Sequence, residues 1–154
     1  MLRADDIPVA HTPDGGWKTM PSPILSGCTE SLAPGAPDLR GTWRAHDVTV
    51  DGAPAPADHP LRRHVERIEQ CGNRVVVVAA GVVHDMRADG VLAHGVDDVA
   101  ARSGVRIRVT ATFEDAALVL RPTGMPGIEV TRRLVDGELV WRYGPSIVVR
   151  MRRA

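Results

Sequence analysis

Three histidines sit in segments whose neighbours are mostly aliphatic, the setting in which an imidazole can do proton chemistry. In RGTWRAHDVTV, residues 40–50, period-2 alternation sorts Arg44, His46, Val48 and Val50 to one face and Trp43, Ala45, Asp47 and Thr49 to the other. In VVHDMR, residues 82–87, Val82, His84 and Met86 oppose Val83, Asp85 and Arg87. His64 opens HVERIEQ, residues 64–70, with Glu66 and Arg67 close behind it. A histidine titrating near neutrality in a desolvated pocket suits proton transfer, and a carboxylate such as Glu66 can orient the ring. His46, His64, His84 and Glu66 are therefore expected to converge as a polar cluster within an aliphatic cavity and, if the protein is an enzyme, to act as acid and base. The competing reading makes each histidine a surface residue or a core residue satisfied by a backbone carbonyl, since buried polar groups serve structure as well as catalysis.

A cavity also needs a lining. Trp141 and Tyr143 share a face with Leu139 in ELVWRY, and Arg44, Arg67, Met86 and Arg150 are the other side chains that can line it or fix the polar end of a ligand. Aromatic residues make up only 3 % of the chain, so Trp17, Trp43, Phe113, Trp141 and Tyr143 are its few large anchors, and core packing competes for all of them. No metal site is expected, because His59 and His64 are separated by Pro60 and a turn, and no compact set of ligands accompanies them. GxSxG, Walker, GxGxxG and nucleophilic Cys/His patterns are all missing from the sequence, so no cofactor is expected.

The elements that must position these residues are short strands. Residues 1–38 are rich in proline and glycine without periodic patterning and read as an irregular arm or long loop, held to the body through Trp17, Ile24 and Leu25 and able to serve as a lid. From Leu39 onward, β-branched runs alternate with turn residues. Strands are expected over 40–50, 64–70, 74–79, 82–87, 105–114, 117–121, 128–135, 138–143 and 146–152, with a helical turn or a further strand at 96–101. A helical candidate at 59–69 is undermined by Pro60 and β-branched neighbours. Asp51-Gly52, Asp89-Gly90 and Asp136-Gly137 are hairpin residues, Asp136-Gly137 most clearly. So many sequential strands cannot remain an open sheet without exposed edges, and closure removes them. The expected fold is all-β: an antiparallel up-and-down β-barrel of 8 to 10 strands over 39–154, with the arm over 1–38, whose interior can hold one small ligand.

Gly41-Thr42-Trp43, opening the first regular strand after a loop, resembles the Gly-x-Trp of the lipocalin and fatty-acid-binding-protein superfamily, the calycins. The resemblance implies that the tryptophan closes one barrel end and that a basic residue of the last strand, Arg150 or Arg152, stacks on it. The closing segment TRRLVDGELVWRYGPSIVVRMRRA is similar to the last hairpins of the intracellular fatty-acid-binding proteins, but Arg150-Met151-Arg152 stands where those binders carry Arg-x-Tyr for a ligand carboxylate. A carboxylate ligand is thus not implied. Haem is disfavoured as well, because the last histidine is His94, far from the C-terminal histidine of the haem-binding branch.

Formal charge is zero from 19 basic and 19 acidic residues, which excludes a whole-molecule field for nucleic acid or an anionic membrane. All the basic residues but Lys18 are arginine, a bias best assigned to a GC-rich genome. Leu25-Ser26-Gly27-Cys28 resembles a bacterial lipobox, yet the segment before it carries Asp5, Asp6, Asp14 and four prolines and offers no apolar run that could enter a translocon. A cytoplasmic protein with Cys28 and Cys71 as reduced thiols is expected. Its partner would be a small apolar molecule, with neither nucleic acid nor membrane, and a homodimer is compatible with the composition. Two functions follow: binding a small hydrophobic ligand in a calycin-like interior, or an isomerase, cyclase or lyase working on an apolar substrate with the interior histidines.

Overall fold

The structure, a computed structural model, describes residues 2–100 and 104–154. Eleven antiparallel strands form one sheet: β1 (Gly41–Val50), β2 (Ala53–Pro54), β3 (Val65–Cys71), β4 (Arg74–Ala79), β5 (Val82–Arg87), β6 (Val96–Val99), β7 (Arg106–Glu114), β8 (Ala117–Pro122), β9 (Val130–Val135), β10 (Glu138–Tyr143) and β11 (Ile147–Arg153). All nine expected strands are present with ends shifted by a residue or two. Segment 96–101 supplies β6, and its residue 101 lies outside the described residues. The helical candidate over 59–69 divides into a 3-10 turn, Pro60–Arg63, and the start of β3. Pro60 fits a first helical turn, but the β-branched Val65 and Ile68 pack better on a pleated surface. At Asp136-Gly137 both residues take positive φ, 52° and 81°, the geometry of a tight hairpin between β9 and β10.

Around the sheet the order is β5-β4-β3-β1-β11-β10-β9-β8-β7-β6, with β2 beside β1. The first and last long strands pair with each other, so the meander curls into a nearly closed barrel. Its seam lies between β5 and β6, which form no ladder with one another.

Two apolar clusters use opposite faces of the sheet. The inner cluster fills the barrel end that holds the start of β1, with Leu39, Trp43, Ile68, Met86, Leu118, Leu139 and Met151 buried together. Trp43 is fully buried and donates its indole N–H to Leu39 O at 2.9 Å. Arg153 lies over it, Cζ 4.4 Å from the ring centroid, and donates to Arg40 O at 2.8 Å. The stacking residue is therefore Arg153, not Arg150 or Arg152, because the ladder places Arg153 opposite Trp43. Gly41 makes this possible: at φ 138° it holds a conformation that favours glycine, and a Cβ there would run into the Arg153 guanidinium.

The outer cluster, Leu25, Cys71, Val76, Val78 and Val83 with Ile7, Ala10, Ile24 and Cys28 against it, is the face on which the arm lies. Strand β4 explains its own composition, since Val75 and Val77 face the inner cluster while Val76 and Val78 face the arm. The arm is tied down by polar contacts as well as by burial. Glu69 accepts the backbone N–H groups of Ile24 and Leu25 at 3.0 and 2.8 Å. Arg67 donates to Pro21 O at 2.6 Å and to Ser22 O at 3.3 Å. Cys28 and Cys71 are joined in a disulfide with Cα atoms 6.2 Å apart, which corrects the expectation of reduced thiols. They lie 43 residues apart in the chain, and only docking of the arm on the end of β3 brings them together.

The arm also crosses the seam. Thr12 Oγ1 accepts from Val83 N of β5 at 3.0 Å, and Thr12 N donates to Asp98 Oδ2 of β6 at 2.9 Å. From the inner side, His84 Nε2 donates to Val99 O at 3.0 Å, so one residue on each face links the two unpaired edges. Among the described residues no helix is long and apolar enough to cross a membrane.

Candidate functional site

The barrel end opposite Trp43 is not filled. Two adjoining cavities, of about 220 and 230 Å³, open there and share His84, Ala100, Arg132 and Trp141 as their common wall. Val77, Ala79, Val82 and Leu61 line the first, and Val96, Ile107, Val109, Leu120, Val130 and Tyr143 line the second. The first meets an outer groove of about 430 Å³ beneath Trp17–Pro21 at Leu61, His64 and Ala80.

A carboxylate from β3 and a guanidinium from β9 cross the interior to meet. Glu66 is fully buried, and Arg132 holds it with two parallel hydrogen bonds, Nε to Oε2 at 2.8 Å and Nη2 to Oε1 at 3.1 Å. Its Oε1 also receives His64 Nε2 at 2.7 Å. Burial alone would raise the Glu66 pKa, but the Arg132 charge and the bonds from His64 and Arg132 outweigh it and bring the carboxyl down to about 2. Glu66 is thus an anion throughout the physiological range.

Trp141 roofs this cluster from the neighbouring strand, opposite Arg132 in the β9/β10 ladder. Arg132 Cζ lies 4.9 Å from its ring centroid and the His64 ring 4.9 Å on, tilted by 31°. His84 completes the wall from β5. Desolvation lowers its pKa, with the nearby Arg132 charge adding to the effect and the Val99 carbonyl opposing it, so burial favours the neutral ring, whose Nε2 proton goes to Val99 O.

Of the residues singled out from the sequence, His64, Glu66, His84 and Trp141 come together at this wall, and Tyr143 lies at the rim of the second cavity, 42 % exposed. His46 does not join them. A β-bulge between Ala45 and Asp47 breaks the alternation, so Trp43, Ala45 and Val48 face inward and His46 turns outward to Glu138 at 2.9 Å. Arg44 is exposed, Arg150 stands half-exposed beside Glu138, and Arg67 is engaged with Glu69 and the arm, all away from the cavities. Met86 is inward but belongs to the filled end.

Arg132 was not anticipated, and the missed signal is a simple one. In IEVTRRLV the same alternation that marked His84 groups Arg132 with Ile128, Val130 and Leu134, a single cation on an apolar face. What it pairs with is not local: Glu66 precedes it by 66 residues.

No protein-family model matches this chain, and no curated protein matches it. The fold and the site define the class of protein: an all-β antiparallel barrel, nearly closed, with one end packed solid and the other holding a polar cluster in an aliphatic cavity.

Proposed function

We propose that this protein binds a small, largely apolar molecule in the open half of the barrel. The observation that carries the reading is the pair of cavities of about 220 and 230 Å³, lined mainly by aliphatic side chains around one compact polar group, the composition of a small-molecule site. A calycin-like identity is the finer version: the layout is compatible with it, and the Arg153 guanidinium over Trp43 fills the role that the Gly-x-Trp resemblance implies. The Cys28–Cys71 bond favours an oxidising compartment over the cytoplasm. Uptake of the uncharged fluorescent probe N-phenyl-1-naphthylamine, together with mass spectrometry of a solvent extract of the purified protein, tests the reading. Neither probe uptake nor a copurified molecule would remove it.

A second reading, acid–base catalysis in the same chamber, draws on one specific contact. Glu66 receives His64 Nε2 while Arg132 immobilises Glu66, which leaves His64 Nδ1 as the atom for proton transfer. Deuterium uptake from heavy water at the α-carbon of 2-octanone, followed by mass spectrometry, reports such a step. Equal uptake in the wild type and His64→Gln would sink the catalytic reading and leave binding untouched.

A further inference from the structure

A site that binds apolar molecules still has to say what it does with its polar wall, and the donors and acceptors there do not balance. Arg132 is buried, its side chain only 7 % exposed, with Nε and Nη2 committed to Glu66. Nη1 has no hydrogen-bond partner among the described residues. Trp141 Nε1 is buried and also lacks an acceptor. Donors are therefore in surplus at the wall shared by the two cavities, whereas the Arg132 charge is matched by the ionised Glu66 and burial disfavours a charge on the adjoining His84. A ligand carboxylate would place a second anion in the same low-dielectric space as Glu66, at a distance where like charges disfavour one another. A neutral oxygen meets the same donors without that repulsion.

We infer that the cavity takes an uncharged, mainly aliphatic molecule carrying one carbonyl or similar neutral acceptor, directed at Arg132 Nη1 and Trp141 Nε1, in preference to a fatty acid of the same length. The inference rests on the ligand-binding reading above. The ligand's chain occupies the lobe lined by Val96, Ile107, Val109, Leu120 and Val130, and its oxygen lies at the wall.

Displacement of N-phenyl-1-naphthylamine by 2-octanone, octanoate and octane at pH 7.5 tests it on the full chain. The ketone is expected to displace the probe at about tenfold lower concentration than octane, and octanoate to be the weakest of the three. Two variants ask whether the named donors carry the preference. Trp141→Phe keeps the ring and removes the N–H, and should cut the advantage of ketone over octane by about threefold or more. Glu66→Leu with Arg132→Met removes both charges together, so no lone buried charge is left to unfold the protein, and should cut the ketone's advantage over octane by about threefold as well. A probe that never binds defeats the ligand-binding reading. If the probe binds while ketone and octane displace it equally, or not at all, the acceptor inference alone is overturned. Octanoate as the tightest of the three, or an unchanged ketone preference in both variants, overturns it as well.

Discussion

Two buried arginine–carboxylate pairs sit on opposite faces of the same sheet, and they differ in what is left over. Under the arm, Arg74 grips Asp85 through Nε and Nη2 at 2.9 and 2.6 Å, and it donates to Ala4 O and Pro8 O at 2.8 Å each and also to Ile7 O. Its five N–H groups all have acceptors, and Asp85 in turn accepts Ala10 N at 2.9 Å. Inside the barrel, among the described residues, Arg132 bonds to Glu66 alone, through two hydrogen bonds, and lies against Trp141. The first pair is a clamp that fastens the arm to the sheet. Because the second leaves donors without acceptors beside a cavity, it is the one that can meet a ligand.

Paired substitutions should separate the two most sharply. Arg74→Leu strands Asp85 as a buried charge and should cost about 3 to 5 kcal/mol in urea unfolding. Adding Asp85→Leu should recover little, because the carbonyls of Ala4, Ile7 and Pro8 still lack donors. Arg132→Met alone should cost a similar amount, but the double change with Glu66→Leu should return to within about 2 kcal/mol of the wild type. Equal recovery in the two double variants would erase the distinction between clamp and site.

Removing the disulfide with Cys28→Ser and Cys71→Ser acts on the clamp side alone. Stability should fall by about 2 to 4 kcal/mol, and limited proteolysis should cut the arm before any strand. If a barrel strand is cut first, the arm is not the weaker unit.

Acid should affect the site side through two groups. Glu66 has a folded pKa near 2, below its ordinary 4.5, so its contribution is complete above about 4.5 and is lost as pH falls toward 2. The folded pKa of His84 lies below its ordinary 6.5, so the unfolded chain takes up the proton first, and stability declines as pH falls below 6.5. His84→Gln should therefore flatten the stability profile just below pH 6.5 while the loss below 4.5 persists. An unchanged slope near neutrality would show that His84 is not the group responsible. The smallest effect is expected at the packed end, where Arg153→Met removes the cation over Trp43 and should cost about 0.5 to 2 kcal/mol in thermal unfolding.

What the sequence determined by itself is what neighbouring residues decide among themselves. Period-2 alternation and Asp-Gly turns locate the strands, and a chain of sequential hairpins implies closure, so the all-β barrel was legible from local pattern. The inward His84 and the grouping of Trp141 with Tyr143 were legible in the same way. Tertiary structure decided the rest, because those outcomes depend on groups far apart in the chain. One bulge after Ala45 separated His46 from the apolar Val48: His46 stays on the face opposite Trp43, and the extra residue turns Val48 inward in its place. Arm docking made Cys28 and Cys71 partners, and curling of the sheet set Glu66 against Arg132. Such pairings are set by where long-range packing places the backbone, and nothing in the nearby sequence records it.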